Sequence, residues 1–195
     1  MKIGTKTLLF GVHQFLLHPL LVLVAWRLCY GLWPSRREVL ATAFHDLGYW
    51  GALEMDGPTG SLHPERSERL VCRVFGEEDT SSRELVLLHS RTTAERHGRS
   101  VSRLCLPDKL SILLYPTWLY VLLARFSGEI HEYRTAAGLS LSSDAAVLRF
   151  FQVKAYRWAL ATSDRATRAR IVRAFGRAAD SAAVDRLASR YPSSF

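Results

Sequence analysis

No stretch of this chain alternates strictly between apolar and polar residues as a half-buried strand requires; apolar positions recur at helical intervals between glycine and proline breaks. That pattern predicts an all-α fold. The first helical region covers residues 7–30, with a break expected near Pro19, because the residue before a proline is displaced from the α region. Gly31 stops it. Ser35 is suited to cap a second helix running to residue 47, where Gly48 can supply the C-terminal turn. A glycine-rich loop over residues 49–62 follows, of a length that often carries function inside a small domain. Further helices are expected from Pro64 to Gly76, over residues 83–96 with a stop at Gly98, and from Pro107 to residue 126 with a kink at Pro116. Residues 127–142 read as a linker or loop, and helices are expected beyond it over residues 143–161, 164–179 and 182–190.

Residues 8–26 form an apolar run of nineteen residues preceded by Lys2 and Lys6, which is the length and flank of a membrane anchor. His13, Gln14, His18 and Pro19 lie inside it and Arg27 closes it, and polar side chains at mid-bilayer are costly. We therefore read a buried helix. A second run, residues 110–126, carries Ser111 and Pro116 and is read the same way. A cytoplasmic protein is expected, with peripheral membrane association as the alternative.

Apolar residues make up 48% of the chain and charged residues 23%, the usage of a folded globular protein. Cys29, Cys72 and Cys105 are odd in number and far apart, which points to reduced thiols rather than a disulfide framework. The net charge of +8 is concentrated: residues 141–195 hold ten Arg or Lys against four Asp, and so six of the eight charges. Such a tail can meet anionic lipid, nucleic acid or a phosphorylated substrate; the plain alternative is a solvated arginine-rich helix face.

Chemistry centres on His45-Asp46. Neighbours on a regular helix diverge by about 100°, so both reach one ion only where the helix ends or the site is concave. Imidazole and carboxylate together suit Mn, Fe, Zn or Mg, with imidazole favouring the transition metals. Around the pair lie His13 and His18 in the first helical region, His63-Pro64-Glu65 opening the third helix, His89 inside the fourth, and Pro107-Asp108-Lys109 opening the fifth.

That order resembles the HD-domain superfamily, whose signature is a histidine, a His-Asp pair and a distant aspartate, with two further histidines in dinuclear members. The resemblance covers about residues 8–126. It implies an HD-domain-like helical bundle over residues 1–126; the linker at 127–142 and a basic helical extension over residues 143–195, read from glycine and charge patterning, lie outside it. It further implies a first metal held by a helix-one histidine, His45, Asp46 and Asp108, and a second held by His63 and His89 with Asp46 bridging. His13 and His18, five positions apart, would point about 140° away from each other on a continuous helix, so one of them should reach the site. His18 is the choice and His13 the fallback.

The implied cofactor is one or two divalent ions, drawn from Mn, Fe, Mg, Zn, Ni or Co. The implied activity is phosphomonoester or phosphodiester hydrolysis by metal-activated water, on a phosphorylated small molecule or nucleotide. Lys109 and Arg91 are candidates to neutralise phosphoryl oxygens. Tyr49 stands where the family often has lysine, Ser90 follows the last histidine, and no Gly-Tyr-Pro motif is present, so the resemblance does not extend to cyclic-dinucleotide hydrolysis of that kind. An HD-type di-iron oxygenase and a non-enzymatic membrane-associated or degenerate binding protein are the alternatives. Trp50, beside the glycine-rich loop, is expected to wall the site.

Overall fold

The structure, a computed structural model, describes residues 1–137 and 143–179. The short helix expected at 182–190 lies outside the described residues. These form α1 (Ile3–Phe10), α2 (Leu17–Tyr30), α3 (Arg36–Phe44), α4 (His63–Phe75), α5 (Thr80–Leu87), α6 (Arg91–Arg96), α7 (Cys105–Ser111), α8 (Thr117–Ser127), α9 (Glu129–Ala137), α10 (Asp144–Thr162) and α11 (Arg165–Ala179). No strand occurs among them, so the fold class is all-α.

The apolar run resolves into two short helices. The chain breaks over residues 11–16, and Pro19 falls in the first turn of α2, where its missing N–H would have had no helical partner. The break is thus upstream of the expected place. No helix among the described residues is long and apolar enough to cross a membrane. α2 is instead the central post of the molecule. Val22 and Trp26 pack with Ala41, Val71 and Val86 of α3, α4 and α5. Ala25 and Cys29 pack with Leu110 of α7 and with Ile171 and Phe175 of α11. Burying Trp26 completely contributes on the order of 3 kcal/mol, one large piece of this core.

A capping box holds the start of α3: the Ser35 hydroxyl accepts from the Glu38 N–H while the Glu38 carboxylate accepts from the Ser35 N–H. Gly31 and Gly128 close α2 and α8 in the left-handed conformation that glycine reaches without strain. Residues 83–96 are not one helix but α5 and α6, separated at Leu88, His89 and Ser90. Residues 107–126 likewise divide into α7 and α8, because Pro116 cannot continue the first. Residues 129–137, expected within a linker or loop, form α9; Glu129 and Glu132 in its first turn suit the helix N-terminus. Ser143 caps α10, which packs against α7, α8 and α9.

Candidate metal centre

His45 is the C-cap of α3, and the backbone turns there into a single 3-10 turn, Leu47–Tyr49. The ended helix lets His45 and Asp46 face the same side, as their adjacency demands. Gly48 serves this turn by close packing rather than by a left-handed turn. A Cβ there would run into the His63 carbonyl, and the Gly48 N–H donates to Ser67 Oγ at 2.8 Å. A second 3-10 turn, Gly60–Leu62, delivers His63 at the start of α4. His89 stands in the break between α5 and α6, not inside a helix, and Asp108 lies in α7.

These segments converge. Asp46 Oδ2 lies 3.2 Å from His18 Nε2 and 3.4 Å from His45 Nε2, while Asp46 Oδ1 lies 3.6 Å from both His63 Nε2 and His89 Nε2. Asp108 Oδ1 is 3.2 Å from His18 Nε2 and 3.6 Å from His45 Nε2. His13 also reaches the site, its Nδ1 2.7 Å from Asp46 Oδ2. The expectation that only one of His13 and His18 would do so assumed one helix through both; the break at residues 11–16 frees them from that geometry. Three overlapping trios, His13-His18-Asp46, His18-His45-Asp108 and His45-Asp46-His89, each bring their donor atoms within 4.8 Å of one another.

Three of the imidazoles are held in one tautomer. His45, His63 and His89 each donate Nδ1–H to the carbonyl three residues earlier, at Thr42, Gly60 and Val86. Their Nε2 atoms therefore turn lone pairs inward, the arrangement that outer hydrogen bonds impose on metal-ligating histidines. His45 Nε2 is buried without a hydrogen-bond partner. His63 Nε2 and His89 Nε2 are 3.1 Å apart, and two nitrogens bound at about 2.1 Å to one ion stand roughly 3.0–3.4 Å apart. These atoms are able to hold a metal ion.

The charges agree. Burial alone would raise Asp46 and Asp108, but His45 and His13 around the first and Lys109 beside the second outweigh it and hold both carboxyls well below the usual range. Burial opposes protonation of His18 and His45, yet the same carboxylates raise both above the ordinary imidazole value. His63 goes the other way: burial and the neighbouring His89 keep it well below that value, and so neutral.

A cavity of about 290 Å³ opens beside the cluster. His13, His18 and Asp108 form one end of it, and Lys109, Arg91 and Lys154 place three cations around it. Lys109 Nζ is 3.0 Å from Asp108 Oδ2, and the Arg91 guanidinium lies over the Trp158 ring at 5.4 Å. Trp50 is exposed and takes no part. Its neighbour Tyr49 walls the site instead, stacked on the His63 ring at 3.8 Å. Sequence reasoning also missed Lys154 and Trp158, which α10 brings across the cavity; nothing in their spacing marks them. The groups assembled are those of a buried histidine-aspartate cluster able to hold a metal ion, with an adjoining basic cavity. No family model, no characterised protein and no solved structure matches the chain.

Proposed function

We propose that the chain is a metal-dependent phosphohydrolase of the HD type. One observation carries the reading: the two oxygens of Asp46 face separate sets of imidazoles, His18 and His45 on one side, His63 and His89 on the other. A carboxylate so placed can bridge two cations. In this reading His18, His45, Asp46 and Asp108 would hold one ion, His63, His89 and Asp46 would hold a second, and His13 orients Asp46. A divalent ion at such a site lowers the pKa of bound water toward neutrality and offsets charge on a phosphate.

The chain's own residues do the rest. Lys109, kept protonated by Asp108, presents a fixed positive charge at the cavity wall, and Arg91, steadied on Trp158, presents a fork that suits phosphate oxygens. Tyr115, Tyr120 and Phe151 line the remainder and receive the organic part of the substrate.

The test is the metal content of the purified protein beside His45→Ala and Asp108→Ala, followed by a phosphatase screen with Mn, Ni, Co and Mg. Both variants are expected to lose metal and turnover together, while Lys109→Ala keeps its metal and loses turnover. Unchanged metal stoichiometry in both ligand variants removes the proposal.

A further inference from the structure

Residues 1–37 contain no aspartate or glutamate, and neither do residues 109–128. These two segments build one side of the molecule. α1 packs on α8, Gly11 sits against Ser127, and Leu17 and Leu21 of α2 share a core cluster with Leu119 and Leu123 of α8. On that side large apolar side chains face outward. Phe10, Phe15, Leu16 and Leu20 are exposed from the end of α1 to the start of α2. Trp118, Leu122 and Phe126 form an exposed stripe at intervals of four along α8, with Trp118 69% and Phe126 67% exposed. Lys2 is exposed at the start of α1 and Arg27 on α2, while Arg125 of α8 is exposed but paired with Asp144. Scattered apolar residues are normal on a surface, but a group of large apolar side chains on segments that carry cations and no acidic residue of their own marks a contact.

We propose that this face docks on the surface of an anionic lipid bilayer, with Phe10, Phe15, Trp118 and Phe126 seated at the headgroup boundary. Aromatic rings on one surface with basic side chains beside them are what interfacial binding uses: the rings gain from burial and the cations from the negative surface potential. The turn that aims His13 at Asp46 carries Phe15 outward, so the docking face adjoins the buried cluster. A second copy of the chain fits this face less well, because a two-fold pairing sets the same patch against itself and opposes cation with cation. The proposal stands on the face alone and needs no metal.

Flotation of the full chain with vesicles tests it, using phosphatidylcholine alone and phosphatidylcholine mixed with phosphatidylglycerol. The chain is expected to float with the anionic vesicles and to be released as salt is raised. Trp118→Ser/Phe126→Ser, at two exposed positions, is expected to weaken partition at least about tenfold, while Val74→Ser/Val172→Ser, exposed elsewhere, leaves it unchanged. Lys2→Glu/Lys6→Glu supplies an independent variant and is expected to cost at least roughly fivefold on anionic vesicles. Absence of flotation with either vesicle, or equal flotation by both patch variants, overturns the proposal. So does a dimer, or a complex with an acidic protein, that the patch variants dissolve while vesicle binding is absent.

Discussion

His63 and His89 stand with their Nε2 atoms 3.1 Å apart, facing one another, while each Nδ1–H is given outward to a backbone carbonyl. Two facing lone pairs repel. A cation held between the rings would relieve that repulsion, and Asp46 is placed to help hold one. His89→Ala is therefore expected to halve the metal bound per chain, where His45→Ala removes more than the roughly 10–100-fold in affinity that losing an outer hydrogen-bond partner costs. Elemental analysis of dialysed protein reads both.

The pH dependence of metal uptake follows from His18 and His45. Their carboxylate neighbours outweigh burial and raise both above the ordinary imidazole value, so in the metal-free chain they hold protons to higher pH than free imidazole does. Stabilisation from those protonated rings is full below the unfolded imidazole value and fades as pH rises through the raised ones. A metal must displace the same protons, so its affinity is expected to rise with pH across neutrality. Calorimetric titration in buffers of different ionisation enthalpy should show proton release; binding independent of pH would contradict the donor assignment.

Glu129 fixes the turn that carries His13. Completely buried, it accepts from the Val12 N–H at 3.3 Å and from the Tyr133 hydroxyl at 2.6 Å, while the Tyr115 hydroxyl donates to the Val12 carbonyl. Glu129→Ala leaves the buried Val12 N–H without an acceptor and removes one partner of the half-buried Tyr133 hydroxyl, and is expected to cost about 2 kcal/mol in denaturant unfolding. Metal content should fall less than in His45→Ala, because His13 touches only Asp46 among the carboxylates.

Gly48→Ala is expected to lose about 3 kcal/mol and to weaken metal binding at the same time, since the added methyl must push the start of α4, and His63 with it, away from Asp46. A variant that melts like the parent and binds metal normally would show that this contact yields more easily than its geometry suggests.

Asp144 joins three helices: at the start of α10, it accepts from Arg125 of α8 at 2.6 Å and from Arg134 of α9 at 2.9 Å. Burial works against its charge, but the two guanidinium groups prevail and lower its pKa. Both arginines are partly exposed, so Asp144→Asn is expected to cost about 1 kcal/mol. A depressed carboxyl contributes fully above its unfolded value and loses that contribution as pH falls through the folded one. The variant and parent should therefore converge in stability in acid and differ at neutral pH.

The helical class was legible because punctuation and periodicity are local properties. Ser35, Gly31 and Gly76 end or start helices where their chemistry predicts. The order His, His-Asp, His, His, Asp also identified side chains that do converge. What it misjudged depended on long-range packing. Pro19 was taken for a break although a first-turn proline needs no partner, and His89 was placed within a helix that ends one residue before the Leu88 cap. His13 was set second to His18 for want of knowing that the chain turns between them. Tyr49, Lys154 and Trp158 gave no signal, because stacking on an imidazole or lining a distant cavity leaves no periodic mark in a sequence.

The candidate ligands come from separate stretches of chain, from His18 in α2 to Asp108 in α7, with His45, His63 and His89 between them. A metal held by His18, His45, Asp46 and Asp108 would act as a covalent staple does, joining α2, the end of α3 and α7 at one point. Unfolding then has to wait for the staple to open, so the rate at which the protein comes apart should follow the rate at which a chelator strips the ion.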